Sequence, residues 1–351
     1  MIRIDRVHGG IPSDGVLDFS ASINPLGPPR VALDAYHASV VDIASYPPAY
    51  SRLLEAALSG WMGVEPEFVL AGNGSTQLIY LLARVLKPRL PVIVIPTFSE
   101  IANSLIIERI EPRALNTTSQ CNFQLYPEAA IKCLRDGADA IFIGRPNSPT
   151  GTILRMAEAA EIATACERRD SWCVFDEAFI DFVQDARSSV AFAEKNRKCI
   201  VLRSLTKIFA LPGLRVGCVV GHPDAIGKLR EAIEPWSVNA VADHVTRACL
   251  NVADGFVCET REFVSVEVAR MADALSQLPG IHVFPSVANF MMMEVEGELT
   301  PGDFGKHLLE QRIRVRDLRG LPGSRPGLYR IGIRSKSDND RLLKATRAWS
   351  S

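Results

Sequence analysis

Between residues 66 and 220, short apolar runs alternate with longer amphipathic stretches, and this alternation restricts the chain to few architectures. The apolar runs at 91–95, 138–143, 172–175, 199–202 and 216–220 are brief and continuous, with no wet face, so they read as strands covered on both sides. Between them, 76–86, 99–109, 126–134 and 156–168 carry helical periodicity. Strand, helix, strand repetition predicts an α/β fold, a mostly parallel sheet with helices on both faces. Residues 223–278 look helical through most of their length, with Gly255 a candidate break. The tail returns to mixed patterning, with strands at 281–283, 288–294 and 328–333 and helices at 301–311 and 338–349. The first 45 residues hold turns and little sheet pattern. The expected division is a large domain over 46–250, and a smaller α+β domain made of 1–45 with 251–351.

Composition narrows the function classes. The 351 residues carry 39 basic and 40 acidic side chains, a formal charge of −1, which gives no global attraction to nucleic acid or anionic lipid. No apolar run approaches the ~18 residues of a membrane span, and residues 1–6 lack the core of a signal peptide. The eight cysteines form no C-x-x-C pair and no zinc spacing, so buried free thiols, a reducing cytoplasmic setting and no metal are expected.

Several segments carry chemistry. Gly72-Asn-Gly-Ser-Thr-Gln77 follows a short apolar run and opens a helix, either as a phosphate-binding turn or simply as a glycine-rich turn with a cap. It lacks the third glycine of a dinucleotide fingerprint and the Gly-Lys-Ser/Thr of a nucleotide loop. Pro96-Thr-Phe98 stands at a strand end, where open α/β sheets bind ligands, and Phe98 could stack on a flat ring or belong to the core. Gly144-Arg-Pro-Asn-Ser-Pro-Thr-Gly151 is a dense turn whose Asn147 or Ser148 could bond a ring substituent. Asp176 ends the 172–175 strand, as a partner for a cationic ring nitrogen or as a helix cap. Lys207 lies 31 residues on, in Arg203-Ser-Leu-Thr-Lys-Ile-Phe-Ala-Leu-Pro-Gly-Leu-Arg215. A lysine for an aldehyde, an acid for a pyridine nitrogen, and hydroxyls with an arginine for a phosphate together describe a pyridoxal phosphate (PLP) site. Ser204-Leu-Thr-Lys207 and Ser337-Asp-Asn339 also match two parts of a penicillin-binding acylase signature, but the chain has no Lys-Thr-Gly.

Taken in order, Gly-Asn-Gly-Ser-Thr, Pro-Thr-Phe, Pro-Asn-Ser-Pro-Thr-Gly, Asp-Glu-Ala-Phe, Ser-Leu-Thr-Lys and Gly-Leu-Arg resemble the fold-type I PLP enzymes of the histidinol-phosphate aminotransferase branch. The resemblance runs from residue 8 to 347. Finer features resemble the threonine-phosphate decarboxylases of cobalamin biosynthesis: His8-Gly-Gly10, Asp18-Phe-Ser-Ala-Ser-Ile-Asn-Pro-Leu-Gly27, Asp176-Glu-Ala-Phe-Ile-Asp-Phe182, Pro235-Trp-Ser-Val-Asn239 and Ile313-Arg-Val-Arg-Asp317. The resemblance implies an aspartate-aminotransferase-like fold and a homodimer. It implies that Lys207 forms the Schiff base, Asp176 keeps the ring nitrogen protonated and Phe98 stacks on the ring. Gly74, Ser75, Thr76, Ser204, Thr206 and Arg215 would hold the cofactor phosphate, with Tyr46 reaching it from the neighbouring subunit. Arg330 would clamp the substrate carboxylate, since a guanidinium meets a carboxylate bidentately. Arg334, on the same face if both lie on one strand, could serve the substrate phosphate or the fold, and Asn24 and His8 are further candidate substrate contacts. Arg3, Arg6 and Arg316 are further candidates for a substrate phosphate.

Two departures fall on one ring oxygen. Ser148 stands where the family usually has Asn, with Asn147 one position earlier, and Phe179 stands where aminotransferases commonly have Tyr. Decarboxylation of an O-phosphorylated amino acid, such as L-threonine 3-O-phosphate, is the expected reaction, and transamination of the histidinol-phosphate type is its rival. The two differ in which Cα bond is set perpendicular to the ring.

Overall fold

The computed structural model describes residues 8–11, 14–185 and 187–349. Its main sheet has seven strands: β1 (Val69–Gly72), β2 (Pro91–Ile95), β3 (Arg113–Asn116), β4 (Ala140–Gly144), β5 (Trp172–Asp176), β6 (Cys199–Ser204) and β7 (Gly217–Gly221). Their spatial order is β1-β7-β6-β5-β4-β2-β3, and only β7 runs antiparallel to its neighbours. Alternate residues feed two cores. Val92, Ile141, Phe175 and Val201 face one layer, and Ile93, Phe142, Val174 and Leu202 face the other. Both layers are dry, which is why the strand sequences show no polar alternation. Edge strand β3, Arg-Ala-Leu-Asn, is largely exposed and gave no apolar run to read.

The helices Gly74–Leu86, Ser99–Ile107, Pro127–Arg135 and Met156–Glu167 connect these strands as the pattern predicted. The stretch after β7 divides differently from expectation. Helices span Pro223–Ala232, Ala240–Leu250 and Ala253–Ser276, so Gly255 lies in the first turn of the last and breaks nothing. The breaks lie at 233–239, around Pro235, and at 251–252, and Asn239 starts the middle helix by accepting the Ala242 N–H at 2.8 Å.

A second, antiparallel sheet holds β8 (Ile281–Val283), β9 (Phe290–Val295), β10 (Arg316–Asp317) and β11 (Leu328–Gly332), in the order β10-β11-β9-β8. With the helices Ala253–Ser276 and Lys336–Trp349 it encloses a third core around Phe19, Met291, Met293, Tyr329 and Ile331. The N-terminal segment divides its contacts. Leu17–Asp18 pairs in parallel with Ile313–Arg314, whereas Ala32 and Ala35 of the helix Arg30–Ala38 pack into the core of the main sheet. All eight cysteines are free; five are buried, Cys121 and Cys133 are half-buried, and Cys258 is exposed. No helix among the described residues is long and apolar enough to cross a membrane.

Candidate active site

Strands β4, β5 and β6 end abreast, with Gly144 beside Asp176 and Asp176 beside Leu202. Beyond this edge lies a cavity of about 450 Å³ whose lining includes Ser75, Thr76, Phe98, Ser148, Asp176, Phe179, Ser204, Thr206, Lys207, Arg215 and Arg330. It sits at the carboxyl ends of the parallel strands, where open α/β sheets place ligands.

The phosphate-sized end is built from two chain segments forced together. Gly74 opens its helix at φ +75°, a conformation that side chains rarely adopt, and a Cβ there would come within 2.5 Å of Arg215. A Cβ on Gly217 would lie 2.6 Å from the Ser75 backbone nitrogen. Glycine at both positions lets the start of the helix Gly74–Leu86 approach the Ser204–Arg215 segment. Ser204 and Thr206 hydroxyls lie 2.9 Å apart on that segment. Helix amides, the hydroxyl-bearing side chains of Ser75, Thr76, Ser204 and Thr206, and the Arg215 guanidinium thus line one end of the cavity, which suits an anion.

The charged groups of the cavity are poorly compensated. Burial, then the Arg330 and Arg215 charges, lowers the Lys207 amine to about 8, while Asp176 pulls the other way. Burial pushes the Asp176 carboxyl up to about 6, against a 3.0 Å hydrogen bond from the Ala178 backbone N–H. Arg330 is drawn down to about 10 by burial and then by Arg316, its cross-strand partner. Its guanidinium donates to Ser148 Oγ at 2.8 Å and to the Ser20 carbonyl at 2.6 Å, and its buried Nε has no partner.

Other expected site residues lie elsewhere. Arg334 follows the end of β11 at Gly332, so strand alternation does not carry it to the Arg330 face; it ion-pairs with Asp338 at 3.1 Å and bonds the Asp18 carbonyl. Asn147 spends its amide inside the turn, donating to the Pro96 carbonyl and Thr150 while accepting from Thr97, and Ser148 is the neighbour that reaches the cavity. Asn24 is buried behind the lysine, donating to the Ile208 carbonyl and Thr260 Oγ1. Tyr46 is 86% exposed beside Trp236. His8 does line the cavity, as does Arg316; Arg3 and Arg6 fall outside the described residues. Asn339 of the acylase-like Ser-Asp-Asn is buried against Glu267, away from the cavity. Glu100 joins the site without a signal in its own sequence, because it contributes through pairings with distant His8 and Tyr80, whereas Ser20 and Ala178 lie inside quoted motifs and contribute through backbone groups.

The chain matches the family described as aminotransferase class I and II over residues 14–345. It is 37% identical to the threonine-phosphate decarboxylase of Salmonella typhimurium, over 96% of this chain and 92% of that one. It is 32% identical to a histidinol-phosphate aminotransferase of Roseiflexus castenholzii, over 95% and 90% of the two chains. Among solved structures, the histidinol-phosphate aminotransferase of Clostridium acetobutylicum superposes with a TM-score of 0.88 at 24% identity, covering 95% of this chain and 99% of that one, a likeness of fold. The chain therefore belongs to the class I and II aminotransferase family, enzymes of fold type I that depend on pyridoxal phosphate.

Proposed function

We propose that the protein decarboxylates an O-phosphorylated amino acid, L-threonine 3-O-phosphate, to carbon dioxide and aminopropanol phosphate. The observation that carries this reading is the set of basic side chains that line the cavity with the lysine. Arg330, bonded to neutral acceptors, pairs across the strands with Arg316, and both line the cavity together with His8, so it offers cations for a carboxylate and for a second anionic group. The 37% identity to a threonine-phosphate decarboxylase supports the same substrate.

The residues present fit pyridoxal phosphate. Gly74, Ser75, Thr76, Ser204, Thr206 and Arg215 would hold its phosphate, Phe98 would cover the ring, Asp176 would face the ring nitrogen, and Ser148 stands nearest the role of ring-oxygen contact. When bound, the cofactor supplies an aldehyde and a protonated ring that accepts the electron pair of a breaking Cα bond. The chain's own groups do the rest. Lys207, whose amine burial lowers to about 8, would supply the amine that meets the cofactor aldehyde and, once the substrate amine had displaced it, would hold the proton for Cα. Arg330 would orient the carboxylate, and Phe179, without a hydroxyl, would give the ring oxygen no hydrogen bond.

Leu33, Val40, Val41, Ile43, Tyr46 and Leu53, all between residues 33 and 53, are exposed apolar side chains, which suits a homodimer in which Tyr46 would reach the partner's cofactor phosphate. Free thiols without disulfides suit the cytoplasm.

The test is a product assay. Purified enzyme with PLP and L-threonine 3-O-phosphate should release carbon dioxide and aminopropanol phosphate in equal amounts. The 32% identity to a histidinol-phosphate aminotransferase motivates the rival, transamination, for which an amino donor would instead convert the cofactor to its amine form with no carbon dioxide.

A further inference from the structure

Glu100 has no part in the chemistry above, yet donors from three side chains converge on it. It is 7% exposed, in the first turn of the helix Ser99–Ile107, next to Phe98. Oε1 accepts His8 Nε2 at 2.9 Å and Asn103 Nδ2 at 2.9 Å, and Oε2 accepts the Tyr80 hydroxyl at 2.5 Å. His8, 45% exposed at its side chain, lines the cavity with its ring 6.0 Å from that of Phe98. The segment that carries it is fastened on the other side too. Gly10 N–H donates to Ser20 Oγ at 3.0 Å, and a Cβ on Gly9 would lie 2.2 Å from the Ser20 carbonyl oxygen, the same oxygen that accepts from Arg330. His8 is therefore held between the helix behind Phe98 and the backbone that fixes Arg330.

With Nε2–H given to Glu100, Nδ1 is the ring nitrogen left for a ligand. In the imidazolium Nδ1 donates; in the neutral ring held this way it carries a lone pair, which a phosphate repels. Lys207, Arg215, Arg316 and Arg330 add positive charge to the same cavity and Asp176 negative charge, while Glu100 is the carboxylate in direct contact with His8.

We infer that Glu100 is a positioning residue: it fixes His8 at the cavity with Nε2 engaged, so that Nδ1 serves the substrate phosphate while the ring is protonated. This rests on the reading that the substrate is phosphorylated.

The test compares wild type, His8→Ala, Glu100→Gln and the double variant, all as holoenzymes, with L-threonine 3-O-phosphate across pH 6 to 9. Loss of one charge-assisted hydrogen bond should raise KM about tenfold in His8→Ala and by less in Glu100→Gln, with kcat within about twofold. The double variant should match His8→Ala. The ratio of the His8→Ala KM to that of wild type should shrink toward alkaline pH, where the neutral ring no longer donates. If Glu100→Gln raises KM as much on the His8→Ala background as on wild type, or lowers kcat alone, the inference is overturned. Should Glu100→Gln lack a cooperative melt, Glu100→Asp, one methylene shorter, replaces it in the same cycle. If wild type releases no carbon dioxide from phosphothreonine, the substrate reading has failed. Calorimetric titration with inorganic phosphate then still decides. An affinity advantage of wild type over His8→Ala at pH 6, reduced in Glu100→Gln, sustains the role of Glu100, and equal affinities in all three proteins refute it.

Discussion

Asp176 and Glu177 are consecutive carboxylates treated in opposite ways by the two faces of one sheet. Strand alternation sends Asp176 to the cavity, with Ser204, and Glu177 to the other side, with Arg203. On that side the Glu177 and Asp181 carboxylates each meet a guanidinium, although the buried Arg203 Nε itself has no partner among the described residues. Glu177 accepts from Arg145 at 2.9 Å, from Ser188 Oγ at 2.5 Å and from the Ser189 N–H at 2.8 Å, and Arg203 meets Asp181 at 2.6 Å. In the cavity, Lys207 is held low, Asp176 high and Arg330 low, because burial there is not matched by bonded countercharges. Paired buried charges maintain the fold. Poorly compensated ones lie where a ligand is to supply the partners.

Substitutions at these positions can break or sharpen that contrast. Lys207→Ala should have the largest effect, a fall in kcat of about four orders of magnitude or more, since nucleophile and proton carrier are lost together. Steady-state carbon dioxide release checks it.

Asp176→Asn should lower kcat by about 10²- to 10³-fold, the cost of one electrostatic partner in a dry site. Its effect on the cofactor-free protein should have the opposite sign. With its carboxyl at about 6 when folded against an ordinary 3.8, the folded state binds the extra proton between those values. Stability from Asp176 is therefore present in acid and lost as pH rises through about 6. At pH 7 the Asn variant, free of that charge, should resist urea better by up to ~2 kcal/mol. No gain, or a loss, would count against the description of Asp176 as uncompensated. Lys207 works in the reverse sense: the unfolded chain binds more protons between about 8 and 10.5, so its contribution to stability grows with pH across that window.

Glu177→Gln should mirror Asp176→Asn. Removing one partner strands the buried Arg145 and costs roughly 3 kcal/mol in denaturant unfolding, with a smaller change in kcat. Arg330→Lys should raise KM about tenfold, because an ammonium cannot reproduce a bidentate contact. Arg334→Ala is expected to be the mildest, under ~1 kcal/mol in stability for a partly exposed pair and within twofold in KM. A KM effect at Arg334 as large as at Arg330 would return it to the substrate.

The main sheet was legible because both its faces are dry. Strands such as Pro91–Ile95 and Trp172–Asp176 announce themselves as apolar runs, and exposed β3 does not. The helices Arg30–Ala38 and Arg52–Met62 went unread because their apolar stripes are narrow and sit among prolines and exposed tyrosines. Spacing alone leaves Arg334 open between the substrate and the fold, and only the packed chain pairs it with Asp338.

What the sequence determined by itself is the chemistry of the site. Lys207, Asp176 and Arg215 are strand-end and turn residues whose types and order name a cofactor, and local pattern suffices to put them on one edge. The tertiary structure alone decided which neighbours complete it. Ser148 rather than Asn147 faces the cavity, the Ser20 carbonyl grips Arg330, and Glu100 holds His8. These pairings join residues from 92 to more than 300 positions apart, and no periodicity or spacing records such a contact until the chain has packed.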